Sequence, residues 1–130
     1  MPRSDRQPAP RVLSVGQCGF DHRTIASYLG RQFGALVERA DTLDEARDAL
    51  GRGRFDLVLV NRVLDLDGSS GLDLIRTLKD EDDLGGVPVM LVSNYPDAQH
   101  AAVDLGATPG FGKADLESPA TRDRLKALLG

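Results

Sequence analysis

Apolar residues along this chain fall into two rhythms: short unbroken runs and longer stretches with helical spacing. Leu57 to Val60 is an unbroken run, rich in β-branched residues and too short for a helix. It predicts a strand covered on both faces, with Asn61 as the first polar residue where that strand emerges. Val12 to Val15, Leu36 to Ala40 and Val87 to Ser93 predict three more strands, and Thr108 to Gly112 a fifth, weakened by one proline and two glycines. Between them the spacing becomes helical. Ile25, Leu29 and Phe33 mark a first helix stopped by Gly34, and Thr42 with Glu45 forms a capping box before a second that runs to about Leu50. Ser70 and Asp73 open a third helix with Leu72, Ile75 and Leu78 on one face, and Lys79 to Gly86 reads as an exposed polar connection. Pro96 starts a fourth helix closed by Gly106. Ser118 caps a fifth with Pro119 at its first position and Leu125, Leu128 and Leu129 on one face.

Five strands alternating with five helices predict an α/β domain: a doubly wound parallel sheet in three layers, with right-handed crossovers. The expected strand order is 2-1-3-4-5, the flavodoxin-like arrangement, in which chemistry collects at the carboxyl ends of the strands. Residues 11–130 make one domain. Residues 1–10 hold three prolines, two arginines and no apolar periodicity, the composition of a disordered lead-in.

Composition narrows the function. A chain of 130 residues, 41% hydrophobic and 28% charged, is long enough for a real core. A net charge of -4, with its cations spread along the chain, argues against a nucleic-acid footprint. The single cysteine, Cys18, excludes an internal disulfide and a cysteine-rich zinc site, and no signal peptide or spanning segment is recognisable. The cytoplasm is the expected compartment.

Over roughly Arg11 to Gly130, the sequence resembles the receiver domain of two-component response regulators. The apolar strand ending at Asn61 carries the resemblance, with the Asp67-Gly68 loop and the Gly71-Leu-Asp-Leu74 helix start after it. So do the strand from Pro88 to Ser93, Leu105-Gly106-Ala107, and Lys113 after the fifth strand. The resemblance implies a phosphoryl-accepting aspartate at the end of strand three, and an acidic pair after strand one that holds magnesium. It also implies a hydroxyl residue after strand four and a lysine after strand five. In this chain those positions are Asn61, Gly16 with Gln17, Ser93 and Lys113. The last two match and the first three do not.

Those departures fall on the chemistry. An amide does not attack phosphorus and carries no charge to hold a hard cation. Gly16 has no side chain and Gln17 only a neutral amide. No metal and no cofactor is therefore expected, and no enzymatic activity. The resemblance places an aromatic switch at Gly110, and strand alternation points the adjacent Phe111 to the opposite face. Lys113 is open to pairing with Asn61, Asp65 or Asp67, or to solvation alone; Ser93 bonds to Asn61 or only finishes its strand. Asp65 and Asp67 offer a displaced carboxylate or ordinary turn chemistry. Cys18 reads as an incidental small residue rather than a reactive thiol, Asp21 as a cap or dipole partner of helix one, and His22 as a surface residue.

The reading that follows is an aspartate-less receiver acting as a phosphorylation-independent protein–protein interaction module in bacterial signalling. Its expected partners, a protein or a second copy, use the face of helix four, strand five and helix five, with Tyr95 and Phe111 as candidate contacts. The alternative is a small-anion or nucleotide module in the cleft at the strand ends. A third is a phosphorylatable receiver using Asp65 or Asp67.

Overall fold

The computed structural model describes residues 9–81 and 86–130. Its parallel sheet holds β1 (Arg11–Val15), β2 (Leu36–Ala40), β3 (Leu57–Asn61), β4 (Val89–Val92) and β5 (Thr108–Phe111), in the order β2-β1-β3-β4-β5. The crossovers are α1 (Gly19–Phe33), α2 (Leu43–Arg52), α3 (Gly71–Asp80), α4 (Pro96–Asp104) and α5 (Pro119–Leu129). This is the doubly wound arrangement expected from the alternation of strands and helices.

Neighbouring strand residues face opposite ways, so the sheet has two cores. Leu13, Val15, Val58, Val60, Val89 and Leu91 pack against α2, α3 and α4. Val12, Leu57, Leu59, Met90 and Val92 pack against α1 and α5. That double cover explains the unbroken apolar run of β3: all four residues from Leu57 to Val60 are fully buried. Each such side chain contributes roughly 2 kcal/mol relative to exposure.

The helix ends follow local chemistry. Cys18 caps α1, its Sγ accepting from the Asp21 N–H at 3.4 Å. Gly34 ends α1 in the left-handed region at φ 64°, where glycine carries no Cβ penalty. Thr42 Oγ1 accepts from the Glu45 N–H at 3.1 Å, and Glu45 reaches back to the Asp41 N–H at 3.1 Å. Ser70 and Ser118 cap α3 and α5 through the N–H groups of Asp73 and Thr121.

Several boundaries differ from expectation. α3 continues through Lys79 and Asp80, so the polar connection starts later than its composition indicates. Lys79 Nζ donates to the Val87 carbonyl at 3.0 Å, and residues 82–85 of that connection lie outside the described residues. β4 is shorter than the run from Val87 to Ser93, and Ser93 lies one residue beyond it. Residues 1–8 of the lead-in lie outside the described residues. Its last residue, Pro10, is buried and its carbonyl accepts from the Leu36 N–H at 2.9 Å.

The β4–β5 seam is irregular. Met90 pairs with Thr108 but Val92 with Phe111, so β5 carries one extra residue there, where Pro109 has no N–H to give. Gln99 of α4 fills the gap. Its Nε2 donates to the carbonyls of Leu91 at 2.9 Å and Ser93 at 3.1 Å, while its Oε1 accepts from the Gly110 N–H at 3.2 Å. A Cβ on Gly110 would overlap the Leu91 carbonyl oxygen, so the close approach of the strands requires glycine.

Candidate functional site

At the carboxyl end of β3, Asn61 turns its amide into its own loop. Nδ2 donates to the Val63 carbonyl at 2.6 Å. The loop folds back on β1: the Asp65 N–H donates to the Gly16 carbonyl at 2.9 Å, and the Gly16 N–H to the Ala40 carbonyl at 2.8 Å. Gly16 lies at φ 78°, and a Cβ there would overlap Leu64 Cδ2 and stand 3.1 Å from Leu64 Cα. A carboxylate at this position would meet backbone strain and press on Leu64 together. Gln17 is 0% exposed, and neither polar atom of its amide has a hydrogen-bond partner among the described residues.

Lys113 pairs with none of Asn61, Asp65 and Asp67. Its Nζ lies 2.6 Å from Asp21 Oδ2, joining the end of β5 to the first turn of α1. The hydrogen bond from Lys113 holds the Asp21 carboxyl below its ordinary pKa, with a smaller contribution from Cys18 in the same direction. Sequence reasoning read Asp21 only as a helix-end charge. Its partner lies 92 residues away, and the signal that both sit at carboxyl-edge loops needs the strand order.

A cavity of about 190 Å³ opens between these loops. Asn61, Ser93, Asn94 and Lys113 supply polar walls; Arg62, Val63, Val92 and Tyr95 complete it. Three of the expected residues, Asn61, Ser93 and Lys113, therefore come together, while Gly16 and Gln17 do not line the cavity. Ser93 does not bond to Asn61; its Oγ accepts from the Tyr95 N–H at 3.1 Å and shapes the entry to α4. Asn94 Oδ1 accepts from the Ala114 N–H at 3.1 Å, and Gly112 leaves room for it, since a Cβ there would overlap Asn94. Arg62 stacks over the Tyr95 ring at 4.8 Å. Neither Arg62 nor Asn94 was singled out in the sequence, although Arg62 directly follows the strand.

The displaced-carboxylate expectation is not met. Neither Asp65 nor Asp67 lines the cavity. Asp67 closes an Asx turn, accepting from the Ser69 N–H at 2.9 Å and the Ser69 hydroxyl at 2.6 Å, and these bonds lower its carboxyl pKa. Phe111 is likewise corrected as a surface contact: it is 3% exposed and packs with α1 and α5. Tyr95 is exposed as expected. His22 is only half-buried, and burial, followed by the Arg39 charge, lowers its pKa.

The residues present do not fit a magnesium ion. Magnesium takes oxygen ligands with one or two carboxylates. Here Gly16 offers none, Asn61 is neutral, and Asp21 is committed to Lys113. No group of three or more metal-ligating His, Cys, Asp or Glu side chains occurs among the described residues.

No family model matches the sequence, and no curated protein matches it either. Solved structures do match. The signal receiver domain of a DNA-binding response regulator from Colwellia psychrerythraea 34H superposes with a TM-score of 0.76 at 21% identity, covering 92% of this chain and 97% of that one. A response regulator from Thermotoga maritima gives 0.75 at 24%, covering 94% and 98%. A response regulator from Burkholderia pseudomallei, crystallised with a phosphorylated aspartic acid, a calcium ion and citrate, gives 0.69 at 26%, covering 93% and 66%. The fold is that of the response-regulator receiver domain.

Proposed function

We propose that this receiver-fold domain is a phosphorylation-independent protein–protein interaction module of a bacterial signalling pathway, working in the cytoplasm without catalysis. One observation carries the reading: the residue that ends β3 is an amide spent on its own loop, and the Lys113 charge after β5 is already answered by Asp21. Gly16 supports it, because a side chain at that position would be strained and would press on Leu64. No described helix is long and apolar enough to cross a membrane.

The face of α4, β5 and α5 supports partner binding. Pro96, Val103 and Pro109 form an apolar groove of about 490 Å³, edged by His100, Asp104 and Arg124. Gln99 and Arg124, whose Nη1 donates to the Gly110 carbonyl at 2.7 Å, fix its walls. A protein or a second copy of this chain is the proposed occupant.

The cavity beside Asn61 favours a second reading, binding of a small anion. At about 190 Å³ it is smaller than the roughly 300 Å³ at which ligand pockets begin, which suits a phosphate-sized group better than a nucleotide.

Titration with magnesium and beryllofluoride, followed by backbone NMR and thermal melting with Asn61→Asp as comparison, tests the principal reading. The expected result is no saturable shift around Asn61 and Lys113. A saturable magnesium-dependent shift in the native protein would overturn it.

A further inference from the structure

Large apolar side chains that stay exposed are unevenly placed on this domain. Six are exposed among the described residues, and four of them, Phe20, Val63, Leu66 and Tyr95, sit on loops or helix starts at the carboxyl edge of the sheet. Phe20 is 70%, Leu66 63% and Tyr95 59% exposed. The Asp65 N–H bond to the Gly16 carbonyl ties the loop bearing Val63 and Leu66 to the loop preceding Phe20, and Arg62 of the first loop reaches the Tyr95 ring.

Val63 and Tyr95 also line the polar cavity, and the charge of that cavity is unbalanced. Lys113 is paired with Asp21, whereas Arg62 has no carboxylate within ion-pair distance among the described residues. No acidic side chain lines the cavity. Arg62 instead lies over the Tyr95 ring, an arrangement that orients the guanidinium while leaving its edge for a planar anion. A volume of about 190 Å³ accommodates one carboxylate side chain.

We propose that this edge docks a protein partner through an acidic side chain that enters the cavity to meet Arg62, flanked by apolar residues that cover Phe20, Leu66 and Tyr95. The exposed apolar residues decide the source of the anion. A free phosphate or carboxylate would use Arg62 and leave the exposed apolar surface uncovered, whereas a peptide segment satisfies both. The cavity shares no lining residue with the groove of α4, β5 and α5, which begins at Pro96, next to Tyr95. The inference rests on the interaction-module reading only in taking the partner to be a protein.

A random peptide library displayed on phage and selected against the full chain tests the proposal, with fluorescence polarisation of the enriched peptides. Enriched sequences are expected to carry an aspartate or glutamate beside aromatic or aliphatic residues. Replacing that acid by its amide, or Arg62→Gln in the domain, should weaken binding by roughly tenfold to a hundredfold, the range for a lost charge-assisted hydrogen bond. Phe20→Ser and Leu66→Ser should each weaken it several-fold, while Arg76→Gln, on the outer face of α3, should not. Dispersed NMR spectra of each variant exclude misfolding as the cause. Enrichment of peptides lacking an acid, no enrichment, or equal binding by Arg62→Gln overturns the proposal. So does saturable binding of inorganic phosphate that Phe20→Ser and Leu66→Ser leave unchanged, with no peptide enriched. None of these outcomes depends on magnesium or beryllofluoride, so failure here is distinguishable from failure of the phosphorylation-independent reading.

Discussion

Two side-chain amides sit at neighbouring places in this fold and serve opposite ends. In the β4–β5 seam, Gln99 supplies hydrogen bonds that an irregular ladder lacks, bonding Leu91, Ser93 and Gly110 backbone groups at once. At the mouth of β3, Asn61 makes one bond to its own loop and lines an open cavity. The seam is a closed polar network that holds structure. The mouth leaves charge and apolar surface unanswered.

The sharpest way to break this contrast is to restore an acid at the mouth. Gly16→Asp places a Cβ against Leu64 at a φ of 78°. Overpacking and left-handed strain together should cost roughly 3 kcal/mol or more, read as a lowered denaturation midpoint. An unchanged midpoint would mean that the loop yields and that the mouth is not closed by Leu64.

Next in size is the seam. Gln99→Ala leaves the Leu91 carbonyl and the Gly110 N–H without their side-chain partner, a loss of about 2 kcal/mol by chemical denaturation. Hydrogen exchange should accelerate at Gly110 before it does in β1 or β3. Uniform acceleration across the sheet would show that the seam is not a local unit.

The contrast also marks how much was legible in the sequence. The strand run Leu57 to Val60, the capping box at Thr42 and the stop at Gly34 are local signals, and all three are seen where the pattern places them. The strand order followed from alternation and crossover rules. Asn61, Ser93 and Lys113 were brought to one edge by the resemblance to receiver domains, position by position. What sequence could not supply was pairing across distance. The choice of Asp21 over Asp65 or Asp67 for Lys113 depends on how the start of α1 meets the end of β5. The bulge that calls for Gln99 depends on a register no single strand encodes, and it also turns Phe111 into the core.

Asp21→Asn isolates the ion pair. Its members are partly exposed, so the loss should be about 1 kcal/mol at neutral pH. The sign follows from the lowered Asp21 pKa. The contribution is fully present above the unfolded value of 3.8 and is lost as pH falls from there through the lower folded value. Native and variant stabilities should therefore differ at pH 7 and converge in strong acid. A constant gap down the acid range would show that the loss does not depend on the Asp21 charge and so does not come from the pair with Lys113.

The smallest expected effect is the most diagnostic. Arg62→Ala removes a guanidinium whose contacts are the exposed Tyr95 ring and the cavity, so folding stability should change by no more than about 0.5 kcal/mol. Residues kept for stability are costly to lose, as Gln99 should be, whereas residues kept for recognition need not be. A loss from Arg62→Ala as large as that from Gln99→Ala would place Arg62 in the structural network and remove the asymmetry between seam and mouth. A near-neutral result, with the Tyr95 resonances shifted, would show that the cavity's unpaired cation is not there to hold the fold together.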